Sequence, residues 1–285
     1  MLRYVARGCR HKTLRMLAPW PHVELAGRKR WSGGGPAPAA GVAVVTGGSG
    51  GIGSGISRRL AAEGMRVVIG YRSGEAKARA LLEELPGDHH LALPIDTIRE
   101  ESLTAAADIL AERFGGIDLL VNNAGWTTGV PHDDLDALTD EWIDKVMVTN
   151  FRGTFACTRA FRRLLDTGEG GTVVNISSVA AVLGLGSNVA YCASKAAVDS
   201  MTRSLGRALA PRIRVLSVSP GWVPGEYAKK TVSPDFLQAQ IDAAPLARLS
   251  TPEDVGDAVW AAHRYLTMAT GAVIPVDGGR PLGPK

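Results

Sequence analysis

Tyr191 and Lys195 stand four residues apart in NVAYCASKAAV, a stretch whose alanines favour helix, so both side chains fall on one helical face. A phenol ordinarily has a pKa of about 10, and an ammonium beside it favours the phenolate and draws that value down. A tyrosine so placed can exchange a proton with a reacting oxygen near neutral pH. Ser178 lies just past the apolar run GTVVNI and thirteen residues before Tyr191, where its hydroxyl can donate to a carbonyl or alkoxide oxygen. By itself a YxxxK pair is also common surface decoration on helices. The chemistry gains weight only in combination with a second motif.

That motif is VAVVTGGSGGIGSG, residues 42 to 55. Gly48-x-Gly50-x-x-Gly53 has the G-x-G-x-x-G spacing, and Gly47-x-x-x-Gly51-x-Gly53 a closely related one. A flexible linker is also glycine-rich, as in SGGGPAPAAG (residues 32–41), which has no apolar run on either side and reads as a linker. The later glycines differ because Val42 to Val45 precede them. Ile52, Ile56 and Leu60, four apart on one helix face, follow. Strand, glycine turn and helix together make a phosphate cradle, with the helix N-terminus offering free N–H groups. No Lys-Ser/Thr pair follows, which excludes a P-loop. An NAD site places an acid about twenty residues on, against the ribose. Here the stretch is VVIGYRSGE, with Arg72 and Ser73 at that place and Glu75 the first acid. An arginine there pairs with a 2′-phosphate, so NADP(H) is favoured over NAD(H).

These groups must be positioned by alternating strands and helices. The apolar runs VAVVT, RVVIGY, HLALPI, IDLLVN, GTVVNI, IRVLSV and AVIPV read as strands covered on both faces. Helical patterns fall at about 52–63, 74–85, 100–114, 139–166, 190–210 and 252–265. The fold expected is α/β: a single Rossmann doubly wound domain over 41–285, with a seven-stranded, mostly parallel sheet and helices on both faces. Residues 1–40 carry eight Lys/Arg and one acid, leaving 24 basic and 27 acidic residues in the rest. The net charge of +4 therefore belongs to the arm, and nucleic-acid binding by the body is not expected. The arm and linker, 1–40, read as a disordered extension, as upstream sequence translated from an early start, or as a mitochondrial-type presequence. The corresponding locations are the cytoplasm or the mitochondrial matrix. Hydrophobic content is 45%, with no apolar run of transmembrane length. Cys9, Cys157 and Cys192 form no disulfide framework.

The chain resembles the short-chain dehydrogenase/reductase family from about Val42 to Gly279. The likeness is carried by TGGSGGIG, Asp96, NNAG (Asn122 to Gly125), Asn150, Ser178 and YCASK, then by SPG at 219–221 and VDGG at 276–279. The resemblance implies a nicotinamide cofactor and catalytic Asn150, Ser178, Tyr191 and Lys195. Ser178 would polarise the substrate carbonyl and Tyr191 would exchange its proton. Lys195 would lower the tyrosine's pKa and hold the nicotinamide ribose, and Asn150 would anchor a water. Gly47, Ser49, Gly51, Ile52, Gly53, Asn123, Ala124 and Gly125 would line the cofactor, with Asp96 and Thr97 near its adenine. Pro220, Gly221 and Val223 would complete that lining. The family implies a homotetramer, with the long helices 139–166 and 190–210 at its interfaces.

Two departures stand out. Where the family has PGxxxT this chain has Gly225, and Gly50 occupies the place of a basic residue in the glycine loop of NADP-preferring members. His89 and His90 are neighbours, whose side chains alternate faces in a strand, so they make no metal site; no metal is expected. Cys192 reads as a small packing residue facing away from the chemistry. Trp126, Leu183, Trp222 and Tyr227, with Val223, Phe236 and Leu237, are the candidates for a largely apolar substrate pocket and lid. PLARLSTPEDV and TGAVIPVDGG are similar to 3-oxoacyl-carrier-protein reductases and to glucose dehydrogenase-like members. Lys229, Lys230, Arg162, Arg163 and Arg248 could attract an acidic acyl carrier. The substrate expected is a small carbonyl or alcohol, either an apolar ketone or a 3-oxoacyl thioester; a sugar is the alternative within the family. A non-catalytic cofactor-binding scaffold is the rival from another class.

Overall fold

The computed structural model describes residues 41–225 and 233–283. The arm 1–40 lies outside them, as do Tyr227, Lys229 and Lys230. Seven strands form one sheet: β1 (Val42–Val45), β2 (Arg66–Tyr71), β3 (Leu91–Pro94), β4 (Leu119–Asn122), β5 (Gly171–Ile176), β6 (Ile213–Pro220) and β7 (Val273–Val276). Their order is β3-β2-β1-β4-β5-β6-β7, and every neighbouring pair is parallel, so the sheet is wholly rather than mostly parallel. The strand order reverses direction between β1 and β4, which opens a crevice at their carboxyl ends.

Alternation along the strands sends side chains to two separate cores. Ala43, Val45, Val67, Ile69, Leu119 and Val121 pack on one face beneath α1 (Gly51–Ala62) and α2 (Glu75–Glu84). Val42, Val44, Val68, Leu120 and Val173 pack on the other, beneath α3 (Glu100–Phe114) and the helix that ends at Leu165. Ile56 and Leu60 are fully buried on the first face, as their spacing requires.

The helix expected over 139–166 is interrupted. It runs as α4 (Asp140–Met147), opens into one π-helical turn at Val148–Arg152, and resumes as α5 (Gly153–Leu165). Single π turns inside helices are insertions that re-aim a side chain, and this one carries the buried Asn150. Two short helices were not in the sequence pattern: α6 (Ala180–Leu183) just after Ser178, and α8 (Pro234–Asp242). Between them come α7 (Val189–Ala208), which carries Tyr191 and Lys195, and β6. Last is α9 (Pro252–Arg264), opened by a capping box in which Thr251 and Asp254 satisfy each other's backbone N–H.

Candidate active site

The crevice at the β1/β4 reversal is a cleft of about 410 Å³. Gly47, Ser49, Gly51, Ile52 and Gly53 form its floor, Arg72 and Ser73 one end, and Asp96, Thr97, Asn123, Ala124, Gly125 and Trp126 its wall. Gly47 takes φ +62, a conformation that favours glycine. A Cβ on Gly53 would stand 2.2 Å from the Gly47 carbonyl oxygen, so only glycine allows α1 to start this close to the turn. Gly50, which caps α1, contributes no side-chain hydrogen bond and leaves the helix's first N–H groups free to meet an anion. These features fit a dinucleotide, whose pyrophosphate the glycine turn and α1 would hold.

Thr46 ties the turn to NNAG. Its hydroxyl accepts from the N–H groups of Asn123 and Ala124, both at 3.0 Å, and Asn123 Nδ2 donates to the carbonyls of Thr46 and Gly47. At the far end Arg72 is exposed, and among the described residues it forms no ion pair. Glu75, the nearest downstream acid, is paired with Arg79 at 2.7 Å.

The chemical residues gather beyond Gly125. Asn150 is buried, accepting from Trp126 N–H at 2.8 Å and donating to Trp126 O and Ser194 Oγ, both at 3.0 Å. Lys195 is buried as well; its Nζ donates to Ile176 O at 2.8 Å and sits 5.7 Å from the Tyr191 ring centroid. A Cβ added at Gly125 would lie 3.3 Å from Asn150 Oδ1 and 3.8 Å from Lys195 Nζ, so Gly125 joins the cleft to this group.

Burial acts on both members of the Tyr191–Lys195 pair. Burial raises the Tyr191 pKa, and the nearby Ser178 side chain draws it partly back. Lys195, expected to depress the tyrosine, is itself lowered to about 8 by burial, with Asp199 opposing. The enclosed pocket penalises both charged forms, so the phenol stays protonated at neutral pH while most of the lysine stays cationic.

Other expected residues are placed elsewhere. Pro220 O accepts from Val179 N–H, Gly221 N–H donates to Val276 O, and the half-buried Val223 packs against the α1-side core. Trp222 meets Phe236 edge-on at 5.9 Å, whereas Trp126 stacks on Trp142 at 5.2 Å with the Lys145 ammonium 4.2 Å from its ring. The two tryptophans therefore have different neighbours and do not form one joint wall. Leu183 is half-buried at the end of α6. Arg248 is engaged by both carboxylate oxygens of Asp254. His90 accepts from Val67 N–H and contacts Pro86 O, a strand-edge role. Cys192 is buried, with the backbone of Gly186 against its sulfur. Sequence reasoning missed Trp142, Lys145 and the buried Asn188, the N-cap of α7. An Asn three residues before Tyr191 is a capping signal that could have revealed the last.

Comparison with known proteins agrees with this geometry. The family model described as enoyl-(acyl carrier protein) reductase matches residues 47–280. A Streptomyces violaceoruber protein described as a ketoacyl reductase of granaticin polyketide synthesis is 37% identical, over 86% of this chain and 98% of its own. Glucose 1-dehydrogenase 2 of Bacillus subtilis is 33% identical, over 85% of this chain and 95% of its own. A crystal structure from Burkholderia xenovorans, described as a short-chain dehydrogenase/reductase, superposes with a TM-score of 0.79. It is 34% identical and covers 87% of this chain and 100% of that one. With the glycine turn and NNAG around the cleft and Asn150, Ser178, Tyr191 and Lys195 gathered beyond Gly125, the chain belongs to the short-chain dehydrogenase/reductase family of NAD(P)(H)-dependent oxidoreductases.

Proposed function

We propose that the protein is an NADP(H)-dependent reductase of an apolar ketone or a 3-oxoacyl thioester. The observation that carries this reading is the Ser178–Tyr191–Lys195 group, joined through Asn150 and Gly125 to the end of a dinucleotide cleft. NADPH held along the glycine turn and NNAG would supply the hydride for the carbonyl carbon. Ser178 donates a hydrogen bond to the carbonyl oxygen and Tyr191 delivers its phenolic proton there. Burial keeps that phenol protonated at neutral pH, which suits reduction. Lys195, with a pKa of about 8, presents a mostly charged ammonium that stabilises the phenolate left behind. Asn150, fixed by Trp126 and Ser194, anchors the proton path.

For the substrate, the exposed side chains in the chain between Ser178 and Tyr191 include the apolar Val182, Leu185 and Val189, at 71%, 61% and 46% exposure. A sugar would call for several convergent polar groups there. Arg72 and the engaged Glu75 support NADP(H) over NAD(H). Ile143, Phe151 and Phe155, exposed along α4, the π turn and α5, support assembly into a homotetramer. We place the oxidoreductase domain in residues 41–285 and the protein in the cytoplasm.

The test is kcat/KM with NADPH for an acetoacetyl thioester, a hydrophobic ketone and, in the oxidative direction, glucose, run beside Tyr191→Phe. The thioester or the ketone should be preferred. The Phe variant should bind cofactor normally and lose about a thousandfold or more in turnover, a loss within the range of one general acid. Glucose winning by more than about tenfold, a gap of about 1.4 kcal/mol, would overturn the substrate class. Tight cofactor binding with no turnover of any substrate would indicate a scaffold.

A further inference from the structure

Tyr191 is held by its backbone from two sides. Its carbonyl accepts from Ser194 Oγ at 2.8 Å, and Ser194 Oγ in turn accepts from Asn150 Nδ2. Its N–H donates to Asn188 Oδ1 at 2.7 Å. Asn188 has no solvent exposure, and the other end of its carboxamide does not face solvent or its own helix. Its Nδ2 donates to Thr128 O at 2.7 Å and to Thr127 Oγ1 at 3.3 Å. Those two residues directly follow Trp126, whose backbone N–H and carbonyl grip Asn150. Val130 N–H on Ser187 O closes the same pair of loops.

The two paths form a closed circuit: Asn150 to Tyr191 through Ser194, and Asn150 to Tyr191 through Trp126, Thr128 and Asn188. A helix cap needs only the acceptor oxygen, and Ser or Asp would supply that equally well. The amide is distinguished by the donor it adds at the same time, and that donor is aimed at a loop 60 residues away in the chain.

We infer that Asn188 is a positioning residue: as both N-cap of α7 and donor to Thr128, it sets the register of Tyr191 against the strap 126–128 that holds Asn150. The inference rests on the reading of Tyr191 as proton donor. It does not make Asn188 a participant in the chemistry.

Asn188→Ser keeps a neutral cap and loses the reach to Thr128. Asn188→Asp keeps the cap and the volume but turns the donor into an acceptor facing a carbonyl. Both should fold and bind NADPH within about twofold of the parent with KM little changed, while kcat falls about ten- to a hundredfold, the scale expected for misplacement of a reacting group. A role confined to capping would leave kcat intact in both, and that result overturns the proposal. Thr127→Val, at an exposed position, folds whatever the fate of the other two. It removes the hydroxyl's contacts with both Asn188 Nδ2 and Ser187 Oγ, so Ser187→Ala, which removes the second alone, is measured beside it. Thr127→Val should lower kcat by about threefold beyond Ser187→Ala; equal kcat in those two, with the Asn188 variants unfolded, would also overturn it. Tyr191→Phe, measured alongside, separates the two readings. Turnover surviving that change would sink the proton-donor assignment, whereas turnover surviving only the Asn188 changes would sink the positioning role alone.

Discussion

The two halves of the sheet, divided at the β1/β4 reversal, are built from different side chains. In β1, β2 and β3 the buried positions are Val, Ala, Ile, Leu and glycine. In β4, β5 and β6 the core includes Asn122, Thr172, Asn175 and Ser217, and a hydrogen-bonded chain crosses it. Asn150 O accepts from Thr154, Thr154 O from Thr158, and Thr158 Oγ1 from Asn122; Asn122 also donates to Asn175, and Asn175 to Thr202. The difference follows from what each half holds. Phosphates are met by backbone N–H groups, which need tight turns and no side chains. A proton donor and its supports are side chains, and their orientation must be fixed by further buried partners, each costly to leave unpaired.

The sharpest way to break the first half is therefore to add atoms to it. In Gly53→Ala the new Cβ would meet Gly47 O at 2.2 Å and Asn123 Nδ2 at 2.7 Å, so α1 must back away from the turn. Overpacking of this kind costs about 1–3 kcal/mol. Part of that falls on the cradle, and NADPH affinity should drop by up to about a hundredfold. Titration of cofactor fluorescence checks it. An unchanged affinity would mean that the phosphates are not held at this turn.

The same contrast decides what could be read from the sequence. The glycine turn, the strands and the Tyr191–Lys195 pair were legible, because each depends on local spacing: four residues on a helix, two on a strand, a positive φ at Gly47. The π turn at Asn150 was not, since an inserted residue leaves no mark in an apolar period. Nor was the upward shift of Tyr191, which follows from tertiary burial and not from the neighbouring lysine. Val223, which the resemblance places at the cofactor, is half-buried against the α1-side core, a packing that the motif after SPG does not specify. The stack of Trp126 on Trp142 joins residues sixteen apart through a loop whose path no periodicity specifies.

The second half should also be the half that senses acid. His263, at the end of α9, contacts Thr172 of β5 at 3.2 Å, and its pKa is lowered to about 4, first by burial and next by Arg214. In the unfolded chain it titrates near 6.5. Between those values the unfolded state takes up a proton that the folded site refuses, so stability falls as pH drops from about 6.5 to about 4 and is flat above. The loss reaches up to about 3 kcal/mol at the lower end. Melting temperatures across this window, for the parent and for His263→Gln, test it. The Gln variant should show a shallower slope; equal slopes would assign the acid sensitivity to other groups.

The smallest expected effect returns to the first half, at a place where a side chain and not the backbone is asked to recognise the cofactor. Arg72 stands at the end of β2, exposed, beside Ser73 and within the wall of the cleft. Glu75, which could have served a ribose hydroxyl, is occupied by Arg79. Gly50 provides no second cation in the glycine loop, so the 2′-phosphate would depend on one solvent-screened guanidinium. Arg72→Glu should therefore lower the NADP/NAD ratio of kcat/KM by only about tenfold, near 1.4 kcal/mol. The change should shrink further as ionic strength rises, because an exposed ion pair is weakened by salt where a buried one is not. A ratio that does not move would place phosphate recognition elsewhere. A far larger fall, insensitive to salt, would show that the guanidinium is enclosed once cofactor is bound, and the contrast between a backbone-built and a side-chain-built half would then fail at this edge of the sheet.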